Sequence, residues 1–208
     1  MTHKEQEDMK TYVLTLSQKF PAMHSKTGQP KFFKDKMHAA IIHNDEYWNK
    51  LHTIRANYPL WRERFNQIAR GEACLSVRQW TGKPYCSKQV EIARLTAEDG
   101  IGLEILRIDK DGRLSAQQDP YGWYTHVSAS RVAQNDGLSL EDWCEWFANP
   151  AYDKTQPLAI IHFTKFRYCT NDKRPRGVGS PLGHDIKRHK TTTHTILTLT
   201  RRKRKTKK

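Results

Sequence analysis

Between Ala73 and Ile105 apolar side chains recur at every second position in three successive runs, and that period commits this part of the chain to β-sheet. Ala73, Leu75 and Val77 alternate with Cys74, Ser76 and Arg78. Thr81-Gly82-Lys83-Pro84 supplies a turn, and Val90 and Ile92 resume the alternation, which predicts a β-hairpin. Ile101, Leu103 and Ile105 form a third run, ended by the turn residues Asp109-Lys110-Asp111-Gly112. Two apolar, β-rich runs flank this centre. Tyr12–Leu16 predicts a first strand buried on both faces or nearly so, and Leu158–Tyr168 a closing strand with Ile160 and Ile161 at its heart.

Helical spacing appears three times. Phe33, Met37, Ala40 and Ile41 fall at i, i+4, i+7 and i+8, the stripe of an amphipathic helix ending near Asn44. Trp61, Phe65, Ile68 and Ala69 repeat the pattern between Pro59, suited to a helix start, and Gly71, suited to the position after a helix end. Ser139 with Asp142 three residues later, and Leu138 with Trp143 as a hydrophobic staple, predict a capped helix running to Asn149-Pro150. Phe20–Pro30 has no period and is a loop, in which His24, Lys26 and Lys31 are either solvated or a lid over an anionic ligand. Leu114–Ser130 also lacks a period. Its Pro120-Tyr121-Gly122-Trp123-Tyr124 aromatics suit base stacking or the pinning of a loop to the core. Hairpin-linked strands outnumber helices, so the expected fold is α+β, a mostly antiparallel β-barrel with helices packed at its ends.

Charge limits the partners. The 208 residues hold 36 Lys+Arg against 22 Asp+Glu, a formal net charge of +14, which argues for a polyanion. After Thr170 there are 13 Lys/Arg and 2 Asp, so most of the surplus sits in the last segment. The expected organisation is a polar leader over 1–10, one domain over 11–169 and a basic tail over 170–208, kept disordered by self-repulsion. There is no run of 18 apolar residues and the first ten are polar, so neither a membrane span nor a signal peptide is expected, and a cytoplasmic location follows. Cys74, Cys86, Cys144 and Cys169 show no metal-binding spacing and the ten histidines no HExxH pattern, so neither a metal nor a cofactor is expected.

The segment Lys50-Leu51-His52-Thr53-Ile54-Arg55 places an amine, an imidazole, a hydroxyl and a fixed cation at the mouth of a short strand. Such a group can hold a phosphate or base, or run amide chemistry in which the amine activates a hydroxyl or water. It is also the pattern of a strand start with a solvated Lys and an ion-paired Arg. Residues three apart on a regular strand face opposite ways, so Lys50 and Thr53 converge only if Lys50 lies in a loop or bulge before the strand. Arg78 and Lys83 on the hairpin extend the basic character toward a phosphate-binding rim or a solvated sheet edge.

The string Lys50-x-x-Thr53-Ile54-Arg55, followed by the Gly71–Trp80 strand and the Asp136-Gly137-Leu138-Ser139-Leu140 helix start, resembles the ASCH domain, a relative of the PUA fold. The resemblance covers about Thr11 to Cys169. It implies a small PUA-like barrel whose cleft binds RNA or a modified nucleoside. One bacterial branch with a similar motif hydrolyses N(4)-acetylcytidine with a Lys, a Thr and a Glu. Lys50 and Thr53 fall on the first two positions, and Asp136 stands at the third. The implied site is therefore Lys50, Thr53 and Asp136 as the reacting trio, with Arg55, His52, Arg78 and Lys83 as ligand contacts. In that site Lys50 should have a depressed pKa, whereas Asp136, just outside a helix N-terminus, should be held as the carboxylate.

Overall fold

The computed structural model describes residues 9–43, 50–118, 120, 122–147 and 156–169. Chain order runs β1 (Lys10–Leu16), α1 (Phe33–His43), β2 (His52–Arg55), α2 (Tyr58–Ala69), β3 (Ala73–Trp80), β4 (Gln89–Leu95), a short 3-10 turn, β5 (Gly102–Ile108), β6 (Leu114–Gln117), β7 (Tyr124–Val127), α3 (Ala129–Asn135), α4 (Leu140–Phe147) and β8 (Leu158–His162). The class is α+β. Among the described residues the strands form two sheets, ordered β1-β3-β4 and β2-β8-β5-β6-β7, with no ladder closing them into one barrel. All pairings are antiparallel except β1 with β3. The compact unit ends at Cys169, and the expected tail, like residues 1–8 of the expected leader, lies outside the described residues.

Both faces of the larger sheet are covered, which explains why every residue of β8 is buried. On one face Ile105, Ala159 and Ile161 meet Leu14, Leu75 and Val77 of the smaller sheet, Phe33 and Met37 of α1, and Trp61, Phe65 and Ile68 of α2. On the other face Ile54, Leu106, Leu114, Ala116 and Ile160 pack against Val132 and Ala133 of α3 and Trp143 and Phe147 of α4. A strand buried on both sides needs apolar residues without alternation, and Leu158-Ala159-Ile160-Ile161 supplies them.

The expected helices form, with Phe33, Met37, Ala40, Trp61, Phe65 and Ile68 facing the core, whereas Ile41 and Ala69 are exposed. Gly71 adopts φ 74°, and the Gly71 and Glu72 amides donate to Ile68 and Gln67 carbonyls, so α2 ends in a Schellman turn. The expected cap of α4 is present, with the Asp142 amide donating to Ser139 Oγ at 3.1 Å.

Three expectations need correction. β1 is an edge strand in which only Leu14 and Leu16 are buried, because it pairs with β3 alone. The closing strand stops at His162 rather than Tyr168, since Thr164 and the residues after it turn to meet Gly100 and Glu104. The region without a period holds two four-residue strands and the start of α3, elements too short to display one. The end expected for α4 at Asn149-Pro150 lies outside the described residues.

Asn57 both takes the left-handed conformation (φ 62°) and caps α2, its side chain accepting from the Leu60 amide. Asn57→Ala should therefore destabilise the protein by about 1–2 kcal/mol and Asn57→Gly by only a few tenths in urea denaturation; equal losses would show that the cap and the conformation carry no weight.

Candidate functional site

Lys50 and Leu51 lie in the loop before β2, the placement that convergence with Thr53 requires. Main-chain bonds fix that loop. The Lys50 amide donates to the Lys36 carbonyl of α1, the Leu51 amide to the Asn135 carbonyl of α3, and the Phe163 amide to the Leu51 carbonyl. Lys50 is thereby clamped between two helices and β8, and its side chain is fully buried.

The Lys50 ammonium donates to Asp136 Oδ1 at 2.5 Å and to the Asp136 carbonyl at 2.6 Å, and sits 4.0 Å from the centre of the Phe33 ring. Asp136 is 5% exposed. Its setting differs from the helix N-terminus expected. Asp136 is the C-cap of α3, followed by Gly137 at φ 78°, and the Gly137 and Leu138 amides return to the Gln134 and Ala133 carbonyls. At a helix C-terminus the macrodipole disfavours a carboxylate and favours a cation, and Lys50 is that cation. Burial pushes the Asp136 carboxyl above its ordinary range, against the attraction of Lys50. Burial likewise brings Lys50 down to about 8, with Arg55 and Lys36 adding repulsion and Asp136 opposing it. The pair is thus ionised over a narrower pH range than two exposed groups would be.

Thr53 and Arg55 share a face of β2. Arg55 Nη1 donates to Thr53 Oγ1 at 2.9 Å, and Nη2 reaches the Thr15 carbonyl of β1 at 2.8 Å, tying one sheet to the other. Thr53 accepts from the guanidinium, which leaves its own proton free to donate. Arg55 is close enough for its charge to act on Lys50, Asp136 and Lys31. The structure therefore brings Lys50, Asp136, Thr53 and Arg55 into one neighbourhood.

The other three expected contacts are elsewhere. His52 points to the opposite face of β2, where it is fully buried with Nε2 2.9 Å from Tyr168 Oη and its ring edge-on to His162. Strand alternation forces this once Thr53 faces the site. Burial, with His162 and Lys50 adding to it, drops the His52 pKa well below the ordinary value, so the ring is neutral. Its role is structural: Tyr168 also receives the Asn135 amide at 2.9 Å, so one hydroxyl holds both the start of β2 and the end of α3. Arg78 donates to Ser76 Oγ and lies 3.9 Å from Glu91 on β4. Lys83 is exposed in the 81–88 turn.

Three neighbours of the pair carried no expected role in it. Lys36 donates to the Gly137 carbonyl at 2.7 Å. A Cβ on Gly137 would lie 3.3 Å from Lys50 Cβ and 3.4 Å from Lys36 Cδ, so the Asn135-Asp136-Gly137 step serves close approach as well as the turn. Lys31, from the 20–30 side, is 2% exposed and feels Lys50, Asp136 and Arg55. His24 and Lys26 of the same loop instead bind α4 through the Asp142 carbonyl and carboxylate. Among the described residues no group of three or more His, Cys, Asp or Glu could hold a metal ion. No described helix is long and apolar enough to cross a membrane.

Removing one member of a buried ion pair strands the other, whereas replacing both with apolar residues removes two desolvation costs. Lys50→Met should destabilise by about 3–5 kcal/mol, and Lys50→Met with Asp136→Leu should recover most of that loss. Equal loss in the single and double variants, measured by denaturant unfolding, would contradict a coupled pair. The folded-state value of about 8 lies below the ordinary 10.5, so between them the unfolded chain holds a proton that the folded chain lacks, and the Lys50 contribution to stability rises with pH. Lys50→Met should flatten that rise.

A scan against family models, a search of curated proteins and a search of solved structures each return no match to this chain.

Proposed function

We propose that the chain is an ASCH-type, PUA-like domain that binds RNA or a modified nucleoside at the cationic cluster around Lys50 and Arg55. The observation that carries this is a buried amine paired with the Asp136 carboxylate, beside a guanidinium whose charge acts on both and which is itself bonded to the Thr53 hydroxyl. Charge of this kind excluded from water attracts an anionic or strongly polar partner far more strongly than the same residues would on the surface. The mostly antiparallel ladders and the helices covering both faces of the larger sheet support the PUA-like assignment. The overall charge of +14 supports a nucleic-acid partner, with the basic 170–208 segment adding sequence-independent phosphate contacts. The binding form is an opened one. The loop leading to Lys31 is held to α4 by the exposed Ser25–Glu145 contact, which costs little to break, and by Lys26 on the largely buried Asp142 carboxylate.

A second reading is favoured by one observation. Lys50, brought down to about 8 and hydrogen-bonded to Asp136, is suited to proton transfer beside the Thr53 hydroxyl. In that reading the free amine takes the proton of Thr53 or of a water, the oxygen attacks the acyl carbon of N(4)-acetylcytidine, and Arg55 steadies the oxyanion. The protonated amine then returns its proton to the departing N4, giving cytidine and, after attack by water where Thr53 is the nucleophile, acetate.

Short single-stranded RNA should bind with a steep salt dependence, and Arg55→Ala should weaken binding by about tenfold or more. Absent or salt-insensitive binding would contradict the first reading. Incubation with N(4)-acetylcytidine tests the second: acetate release that rises with pH through about 8 and is lost in Lys50→Ala and Thr53→Ala supports catalysis, and no release at high protein concentration removes it.

A further inference from the structure

Among the described residues Lys31 is a buried cation with no carboxylate of its own. Its nitrogen stands 4.1 Å from the centre of the Trp146 ring, 4.7 Å from Phe33 and 5.5 Å from Phe20, and donates to Ser17 Oγ at 2.5 Å. No salt-bridge partner lies within reach among the described residues, and Asp136 is already bound to Lys50. The antiparallel bridge Lys19–Pro30 and the Lys31 amide to the Gln18 carbonyl bring Ser17 and Lys31 together at the base of the loop. Phe32, between the two buried residues Lys31 and Phe33, is held at φ 55°, an uncommon conformation for a bulky side chain that costs about 1–3 kcal/mol. The chain thus accepts backbone strain that accompanies the placing of an ammonium group, with a single hydrogen bond, among aromatic rings beside Lys50 and Arg55. A buried cation so placed costs stability unless an anion completes it.

We propose that Lys31 and Ser17, with Lys50 and Arg55, form a phosphate subsite, so that the ligand of this site is a phosphorylated nucleoside, free or at an RNA end, rather than a neutral one. This inference rests on the preceding reading of the site and specifies its substrate class. A tetrahedral phosphate dianion can accept from the two ammonium groups, the guanidinium and the Ser17 hydroxyl at once, while a base stacks on the Trp146 or Phe20 side of the cage. The two lysines act as point charges and the guanidinium as an oriented fork.

Proton linkage follows. The groups facing Lys31 are Ser17, the Phe20, Phe33 and Trp146 rings, and the charges of Lys50, Asp136 and Arg55. Burial, reinforced by Lys50, brings the free Lys31 amine down to about 7, Asp136 opposing and Arg55 adding to the fall. A bound dianion restores the ordinary preference for the ammonium form, so phosphate binding should take up a proton near pH 7.5 and weaken as pH rises.

The test is calorimetric titration of the full chain with cytidine, cytidine 5′-monophosphate, inorganic phosphate, and short RNA with and without a terminal phosphate, each in two buffers of different ionisation enthalpy. The expected result is that the monophosphate binds at least about tenfold more tightly than cytidine, with proton uptake. Free nucleotide and RNA end are distinguished by whether the terminal phosphate on RNA gives the same gain. In Lys31→Met the preference should disappear and the proton uptake should fall, while cytidine binding persists. Its melting temperature should hold or rise, because an apolar chain suits the aromatic cage. Ser17→Ala gives a milder loss of the same preference and serves if Lys31→Met fails to fold. Equal affinity for cytidine and its monophosphate, or a preference unchanged in Lys31→Met or Ser17→Ala, overturns the proposal. Cytidine binding without phosphate preference would defeat this inference alone. Phosphate binding with no affinity for cytidine or RNA would defeat the functional reading and leave the subsite.

Discussion

The buried contact between Lys50 and Asp136 is the interaction on which the site depends. It joins elements that share no sheet: the loop entering β2, the end of α3 and, through the Lys36 amine on the Gly137 carbonyl, α1. The main chain repeats the same connections through the Lys50 and Leu51 amides. A cation at the C-terminal end of a helix satisfies the α3 dipole and the C-cap carbonyl together, so Lys50 answers a structural need even before any ligand is considered. That need does not require a titratable pair. An apolar core of the same volume is often no less stable, so the buried pair is a place to test for function.

The five-stranded sheet divides the polar residues of its middle into two sets with different chemistry. On the α3–α4 side His52, His162, Glu104, Tyr168 and Asn135 bond to one another, although the buried Nδ1 atoms of His52 and His162 have no hydrogen-bond partner among the described residues. Glu104 accepts from His162 and from the Tyr168 and Cys169 amides, which together outweigh burial and hold its carboxyl low. Such a network fixes positions and leaves no charge seeking a partner. On the other side, among the described residues, Lys31, Lys50 and Arg55 lie close enough for their charges to act on the Asp136 carboxyl.

How much of this was legible before folding varies with the length scale of the signal. The α1 and α2 stripes, the Ser139 cap and the β3–β4 hairpin were legible because each repeats over enough residues to define a period or carries its own terminator. The α3 helix was not, since seven residues inside a turn-rich stretch define no stripe, and with it went the setting of Asp136, which sits at the end of one helix and not at the start of the next. The juxtaposition of Lys50 and Asp136, 86 residues apart, came from a motif resemblance rather than from any local pattern. His52 was grouped with Thr53 and Arg55 as a ligand contact by its place in the segment, whereas the regular alternation of β2 turns it to the other face. Lys31 read as either a solvated lysine or part of a lid over an anionic ligand, and its burial is decided by Phe20, Phe33 and Trp146, which local sequence does not connect.

Titration of the lysine side chains by NMR, with Lys50 assigned through its loss in Lys50→Met, tests the central claim most directly. The account predicts an amine that loses its proton near pH 8, well before the surface lysines, and whose value rises when a phosphate-bearing ligand is added. A Lys50 that titrates with the surface lysines near 10.5, unmoved by any such ligand, would contradict it.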